Sequence, residues 1–196
     1  MQSFTSFFKR KILRIDRDRW NYQYDKGLWD GLKGLDELAR FSVIVGYIKH
    51  LKPGQPEILE IGCGEGFLQQ RLQSQNYGRF VGLDISDSAI ETARVLADEK
   101  CTYLVADMDK HQPTVQFDMI IFNESVYYSK HPVKTLQRFA TYLKANGFLI
   151  VTINDHKHSD ELWQSIKTAF DLFDEATAIT SKSTCICNVL LPKGAA

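Results

Sequence analysis

Charge of one sign is missing from this sequence: 24 lysines and arginines stand against 24 aspartates and glutamates in 196 residues. Without a net field, nothing draws the chain as a whole to nucleic acid or to an acidic surface. No apolar run approaches the length of a membrane span, and the first residues lack the unbroken apolar core and small-residue cleavage site of a secretion signal. Cysteine is scarce and unpatterned. Cys63, Cys101, Cys185 and Cys187 form no C-x-x-C pair, which suits reduced thiols in a cytoplasmic protein better than a disulfide frame or a zinc site. Internal repeats and low-complexity tracts are missing too. What remains is 44% hydrophobic and 24% charged residues, in a chain long enough for one well-packed α/β domain and too short for two of ordinary size.

The informative stretch is EILEIGCGEG, residues 57–66. Ile58, Leu59 and Ile61 read as a buried strand; Gly62, Gly64 and Gly66 follow at every second position; Phe67 to Leu72 then resumes with helical spacing. Glycine adopts positive φ without penalty and, lacking a Cβ, lets a ligand lie against the backbone. The unpaired amides that open the next helix face the same space. A dinucleotide fingerprint, G-x-G-x-x-G, needs glycine where Phe67 stands. The pattern present is E-x-G-x-G-x-G, with Glu60 ahead of the first glycine and Cys63 inside the turn. In this it resembles the first motif of the class I S-adenosylmethionine-dependent methyltransferases. The resemblance covers about residues 20–191 and is closest to the small-molecule type. It implies a three-layer α/β sandwich around a seven-stranded, mostly parallel sheet with an antiparallel strand near the C-terminus, and S-adenosylmethionine as cofactor.

Ahead of that motif, residues 1–34 read as a helical, aromatic lid and residues 35–196 as the cofactor-binding domain. Residues 1–20 are basic, and Phe4, Phe8, Ile12 and Ile15 make a helix there amphipathic. Such a helix packs its stripe on the main domain or meets a membrane or polyanion. Trp20, Tyr22, Tyr24 and Trp29, punctuated by Gly27, Gly31 and Gly34, suit a lid that moves and excludes water. Tyr22 and Tyr24 are open to either cofactor contact or packing. A helical period from Leu35 to Tyr47 ends at Lys52-Pro53-Gly54. On it, Arg40 has two readings: the resemblance implies a contact to the cofactor's carboxylate, and spacing offers a surface ion pair with Glu37.

Beyond the glycine turn, strands and helices alternate. Residues 79–84 form a strand closed by Asp84, placed to accept both hydroxyls of a ribose, with Ile85 next to it. Ser86 or Asp87 caps the following helix. A third strand over residues 102–106 delivers Asp107 and Met108, which the resemblance assigns to the adenine amine and ring, with Asp109 as a substitute for Asp107. A fourth strand, residues 117–122, ends at Asn123-Glu124, so residues 123–128 and His131 are expected in the same crevice as the glycines. A helix from Pro132 leads to Asn146-Gly147, where the family more often has two glycines; Asn tolerates positive φ. Strand five at residues 148–153, a helix over about 159–170 and a closing hairpin of strands near 172–179 and 184–191 complete the chain.

Alignment is the main task in moving a methyl group from a sulfonium, and fixing donor and acceptor in line supplies about 7–11 kcal/mol. A base is needed only if the acceptor keeps its proton. Candidates are Glu124, His131 and a tyrosine of the Tyr127-Tyr128 pair, with Tyr128 preferred. For Glu124, binding substrate or capping the next turn is an equal alternative. The expected reaction is transfer to N or O of a small molecule. Competing readings are a cofactor-binding regulatory module, an RNA or nucleotide methyltransferase, for which the basic first residues speak, and a nucleotide-dependent oxidoreductase, opposed by Phe67 and the hairpin. No metal is expected: His156 and His158 flank a lysine in a hydrophilic loop.

Overall fold

Strands whose residues are apolar on both sides need cover on both faces, and the sequence supplies helices between most of them. The computed structural model describes residues 17–155 and 159–194. Its helices are α1 (Arg17–Asp25), α2 (Leu35–Leu51), α3 (Phe67–Leu72), α4 (Asp87–Val95), α5 (Pro132–Ala140) and α6 (Ser159–Ala169). Its strands are β1 (Glu57–Ile61), β2 (Arg79–Asp84), β3 (Cys101–Val105), β4 (Phe117–Asn123), β5 (Leu143–Asn154), β6 (Phe170–Ile179) and β7 (Thr184–Pro192). They form one sheet in the order β3-β2-β1-β4-β5-β7-β6. Only β7 runs antiparallel to its neighbours, pairing with β5 on one side and β6 on the other. This is the expected three-layer sandwich with its antiparallel strand. The stripe Phe4, Phe8, Ile12 and Ile15 lies outside the described residues.

Two buried clusters fill the two faces. Phe41, Ile44 and Ile48 of α2, Leu68 and Leu72 of α3 and Ile90 and Ala93 of α4 pack on Ile58, Phe80 and Ile121. On the opposite face Leu136 and Phe139 of α5 and Trp163 and Ile166 of α6 pack on Leu59, Ile120, Phe122 and Val151. Burying side chains of this size contributes about 1.5–3 kcal/mol each, so the central strands β1 and β4 are the most firmly held part of the molecule.

Element bounds depart from expectation chiefly at β5. It opens at Leu143, which pairs with Phe117, and the ladder shifts before Phe148 pairs with Met119. The irregular stretch contains Asn146 at φ 59°, so the residue standing for the family's first glycine does take the left-handed conformation. The order of strands reverses between β1 and β4, which opens a crevice beyond their carboxyl ends. Segment α1 lies over that end: Asn21 accepts from the Ser86 hydroxyl at 2.8 Å, and Arg17 pairs with Asp87 at 3.5 Å. Ser86 also caps α4 by accepting from the Ala89 amide at 3.2 Å, as the sequence predicts.

Candidate functional site

The glycine turn is tied to the end of β2 before any ligand is considered. Gly62 and Cys63 donate their amides to the Leu83 carbonyl at 2.7 and 2.9 Å. Asp84 then holds both ends of the crevice floor: one carboxylate oxygen accepts from Gly64 N and the other from Ser86 N, each at 2.9 Å. Burial raises the pKa of Asp84, and the amides of Ser86, Gly64 and Ile85 work against that rise. Three amides leave part of the carboxylate's acceptor capacity, about four lone-pair sites, unused, so it still has room for a hydroxyl donor.

The glycines serve different purposes. At Gly64, φ is 53° and the place a Cβ would take is 2.9 Å from the Tyr24 hydroxyl, so the turn meets the aromatic cover there. A Cβ on Gly62 would strike Ser125, whose hydroxyl donates to the Ile61 carbonyl. Gly66 faces inward. A Cβ there would run into Tyr103 and Ala93, so its smallness is required by helix-on-sheet packing. Cys63 likewise points into the core, is 6% exposed, and has its thiol pushed well above the ordinary value by burial. Its part in the turn is played by its backbone.

Glu60 is the most consequential group at the end of β1. It is 1% exposed; Oε1 accepts from Asn123 Nδ2 at 3.4 Å, while Oε2 is buried with no partner. Burial pushes this carboxyl up to about 8, opposed by the Asn123 hydrogen bond and the Arg40 charge and assisted by Asp84. Arg40 is itself buried. Its Nε and Nη2 donate to one oxygen of Glu37 at 3.1 and 2.7 Å, and Nη1 donates to Asn123 Oδ1. The ion pair that spacing offered therefore forms, between a buried arginine and a partly exposed glutamate. Thr152 of β5 also donates to Asn123, at 3.3 Å.

Over this floor lies an aromatic cluster. Trp20 stacks on Trp29 at 5.5 Å and meets the Tyr128 ring edge-on at 4.9 Å; Tyr24 is 6.1 Å from Trp29. Burial, with Asp84 and Cys63 nearby, pushes the Tyr24 phenol above its ordinary range. The Trp29 indole N–H is buried without a hydrogen-bond partner. Tyr22, by contrast, is 58% exposed and Lys26 sits over its ring, so the two tyrosines part company.

Beyond β3, Asp107 accepts from Asp109 N at 2.9 Å and pairs with Lys110 at 3.2 Å, while Met108 packs partly buried on the α5–α6 side. Asp109 is committed elsewhere: it accepts from the Ser129 hydroxyl at 2.6 Å and from Lys130 N at 3.1 Å. Beyond β4, Glu124 takes φ 55°, a conformation rare for its type. Its carboxylate accepts from Asn154 N at 3.0 Å, the Tyr127 hydroxyl at 3.1 Å and the Cys185 thiol at 3.3 Å. Tyr128 stays 40% exposed at the rim of the aromatic cluster, and His131 is exposed at the start of α5. Ser125, Thr152 and Cys185 carry no motif in the sequence; their places follow only from strand register.

No group of three or more His, Cys, Asp or Glu side chains able to hold a metal occurs among the described residues. His156 and His158 lie outside them. An adenosyl amino acid fits what is present: side-chain-free backbone at Gly62 and Gly64, an acid at the tip of β2, and a buried carboxylate oxygen lacking a donor, suited to an ammonium.

Known proteins agree with this geometry. A family model described as a methyltransferase domain matches residues 54–190. A malonyl-[acyl-carrier protein] O-methyltransferase of Ilyobacter polytropus is 25% identical over 86% of this chain and 68% of its own length. A ubiquinone biosynthesis O-methyltransferase of Rickettsia akari is 27% identical over 75% of this chain, which spans only 59% of that relative. Among solved structures, the N-methyltransferase NodS of Bradyrhizobium japonicum with S-adenosylhomocysteine superposes with a TM-score of 0.69 at 17% identity, covering 84% of this chain and 91% of that one. The magnesium protoporphyrin IX methyltransferase of Synechocystis with bound cofactor reaches 0.63 at 15% identity, over 97% and 92%. With the family model spanning most of the chain and the glycine turn, acids and sheet order in place, the chain belongs to the class I S-adenosylmethionine-dependent methyltransferases.

Proposed function

We propose that this chain transfers a methyl group from S-adenosylmethionine to an oxygen or nitrogen of a small molecule by in-line displacement. The observation that carries the reading is the unpartnered Glu60 oxygen beside the glycine turn. A buried acceptor without a donor is costly to leave, and an amino-acid ammonium is the donor that relieves it. The backbone from Gly62 to Gly64 then lies under the sugar and amino acid, Asp84 takes the ribose hydroxyls, and Asp107 and Met108 serve the adenine. The cofactor supplies an activated methyl; the protein supplies alignment and dryness.

Residues 17–34 act as the cover in this reading, with Tyr24 against the turn and Trp20, Trp29 and Tyr128 excluding water. Arg40 keeps Asn123 and Glu60 in place and lends positive charge toward the amino-acid carboxylate. Three donors already engage Glu124, so its part is to orient the segment after β4. Proton removal, where the acceptor needs it, then falls to His131 or Tyr128 at the rim. Both curated relatives carry O-methyltransferase names, which favours oxygen as acceptor. A cytoplasmic setting is consistent with four free thiols.

The test is a labelled-methyl transfer assay against a panel of metabolites, run beside melting curves with S-adenosylhomocysteine and with NAD. Stabilisation by S-adenosylhomocysteine alone supports the cofactor assignment. Stabilisation by NAD alone, or by neither, refutes it.

A further inference from the structure

Beside the cofactor crevice, between the loop after β3 and the start of α5, lies a separate cleft of about 300 Å³ lined by Asp109, Lys110, Lys130, His131, Lys134 and Arg138, with Thr135 at its base. Four of these side chains are permanent cations at neutral pH. Lys130 and Lys134 have no carboxylate partner among the described residues, and Lys110 shares its charge with Asp107 at 3.2 Å. The acid in the cleft does not neutralise the rest. Asp109 is turned into its own loop, accepting from the Ser129 hydroxyl, from Lys130 N and, at 3.4 Å, from the Thr135 hydroxyl. Helix α5 adds to the positive side of the balance, since its N-terminus has no side-chain cap and Pro132 occupies the first turn.

We propose that this cleft binds a phosphate group carried by the methyl acceptor, holding the acceptor's reactive end toward the crevice. The choice of phosphate over carboxylate comes from how many positive charges line one cleft, which a dianion balances better than a monoanion. Arg138, whose planar fork suits carboxylate and phosphate alike, is spent on two backbone carbonyls, His111 O and Met108 O. What remains available are the ammonium groups of Lys130, Lys134 and Lys110, compact charges on flexible stems, which suit a tetrahedral dianion approached from several sides. The placement is also right for an acceptor. Lys130 lies two residues after Tyr128, whose ring touches Trp20 at 4.9 Å, so a molecule anchored in the cleft extends toward the aromatic rim. No side chain of the cleft belongs to the glycine turn or to the Glu60 network.

This inference rests on the methyltransferase reading, and the experiment separates the two. Titrate the intact protein with inorganic pyrophosphate and, independently, with S-adenosylhomocysteine, by calorimetry. Then repeat both with Lys130→Ala/Lys134→Ala and with Lys130→Arg/Lys134→Arg. Pyrophosphate is expected to bind the unaltered protein, to weaken at least tenfold in the alanine pair, to recover in the arginine pair, and to weaken steeply at about 0.5 M salt. S-adenosylhomocysteine affinity is expected to stay within about twofold in all three, the lysines being exposed and making no contact with the glycine turn or the Glu60 network. Absence of pyrophosphate binding with S-adenosylhomocysteine binding intact overturns the proposal. So does pyrophosphate binding undiminished in the alanine pair. Failure of S-adenosylhomocysteine to bind would instead overturn the cofactor reading.

Discussion

Cofactor binding should release a proton from Glu60. In the ligand-free protein, burial holds this carboxyl at about 8 against an ordinary 4.5, so at pH 7 the neutral form dominates by about tenfold. An ammonium placed at the bare Oε2 favours the carboxylate, because an opposite charge at contact distance stabilises the ionised form. Binding S-adenosylhomocysteine, whose amino group stays protonated over this range, then requires Glu60 to lose its proton first. The affinity is expected to rise close to tenfold per pH unit between about pH 6 and 7, worth about 1.4 kcal/mol each, and to level off above about pH 8. Calorimetry in two buffers of different ionisation enthalpy should count close to one proton released at pH 6.5. In Glu60→Gln the proton count and the slope should vanish, with affinity lower by about 1.5–3 kcal/mol at pH 8.5, where a charged hydrogen bond has been replaced by a neutral one. The sign on folding follows from the same group. Native protein holds a proton that the unfolded chain gives up between pH 4.5 and about 8, so Glu60's contribution to stability is fully present below 4.5 and is lost as pH rises through 8. A wild-type affinity identical at pH 6 and pH 8, or a pH slope that survives in Glu60→Gln, would refute the assignment.

Three further changes have outcomes set by the geometry. Gly64→Ala forces a Cβ into a left-handed position facing the Tyr24 hydroxyl; a loss of about 1–2 kcal/mol in denaturant titrations is expected, with weakened S-adenosylhomocysteine binding. Ser86→Ala removes the cap of α4 and its bond to Asn21 together, costing about 1 kcal/mol, and the effect should be less than additive with Asn21→Ala because the two share one contact. Glu124→Gln leaves at least one of three donors without its acceptor and is expected to lower stability by about 1–3 kcal/mol in chemical denaturation. If Glu124 only orients its segment, the pH profile of methyl transfer in that variant keeps its shape; loss of the acidic limb would make it the base.

Periodicity and glycine spacing carried the fold because they are local signals. Ile58, Leu59 and Ile61 announce β1, Asp84 closes β2 where the register puts it, and the cap at Ser86 is read from residues adjacent in sequence. Partnerships across long stretches of chain left no such trace. Arg40 and Asn123 meet although the whole first half of the sheet separates them, and that contact turns an apparent surface ion pair into part of a buried network with Glu60. The same holds for Glu124: its three donors come from Tyr127 nearby but also from β5 and β7, and only sheet order brings those strands beside it. Gly66 has a second requirement that the motif does not disclose. The motif records that a small residue is required but not which neighbour requires it, and that neighbour is Tyr103. The early start of β5 at Leu143 was hidden because the bulge at Asn146 breaks the alternation that marks a strand.

The hook between α1 and the head of α4 has a consequence for how the crevice works. Asn21 grips Ser86, and the Ser86 amide is held by the Asp84 carboxylate, the group proposed for the ribose. Roof and floor therefore share a joint: Asp84 and Asn21 both bind Ser86, so this one residue fastens α1 to the crevice rim.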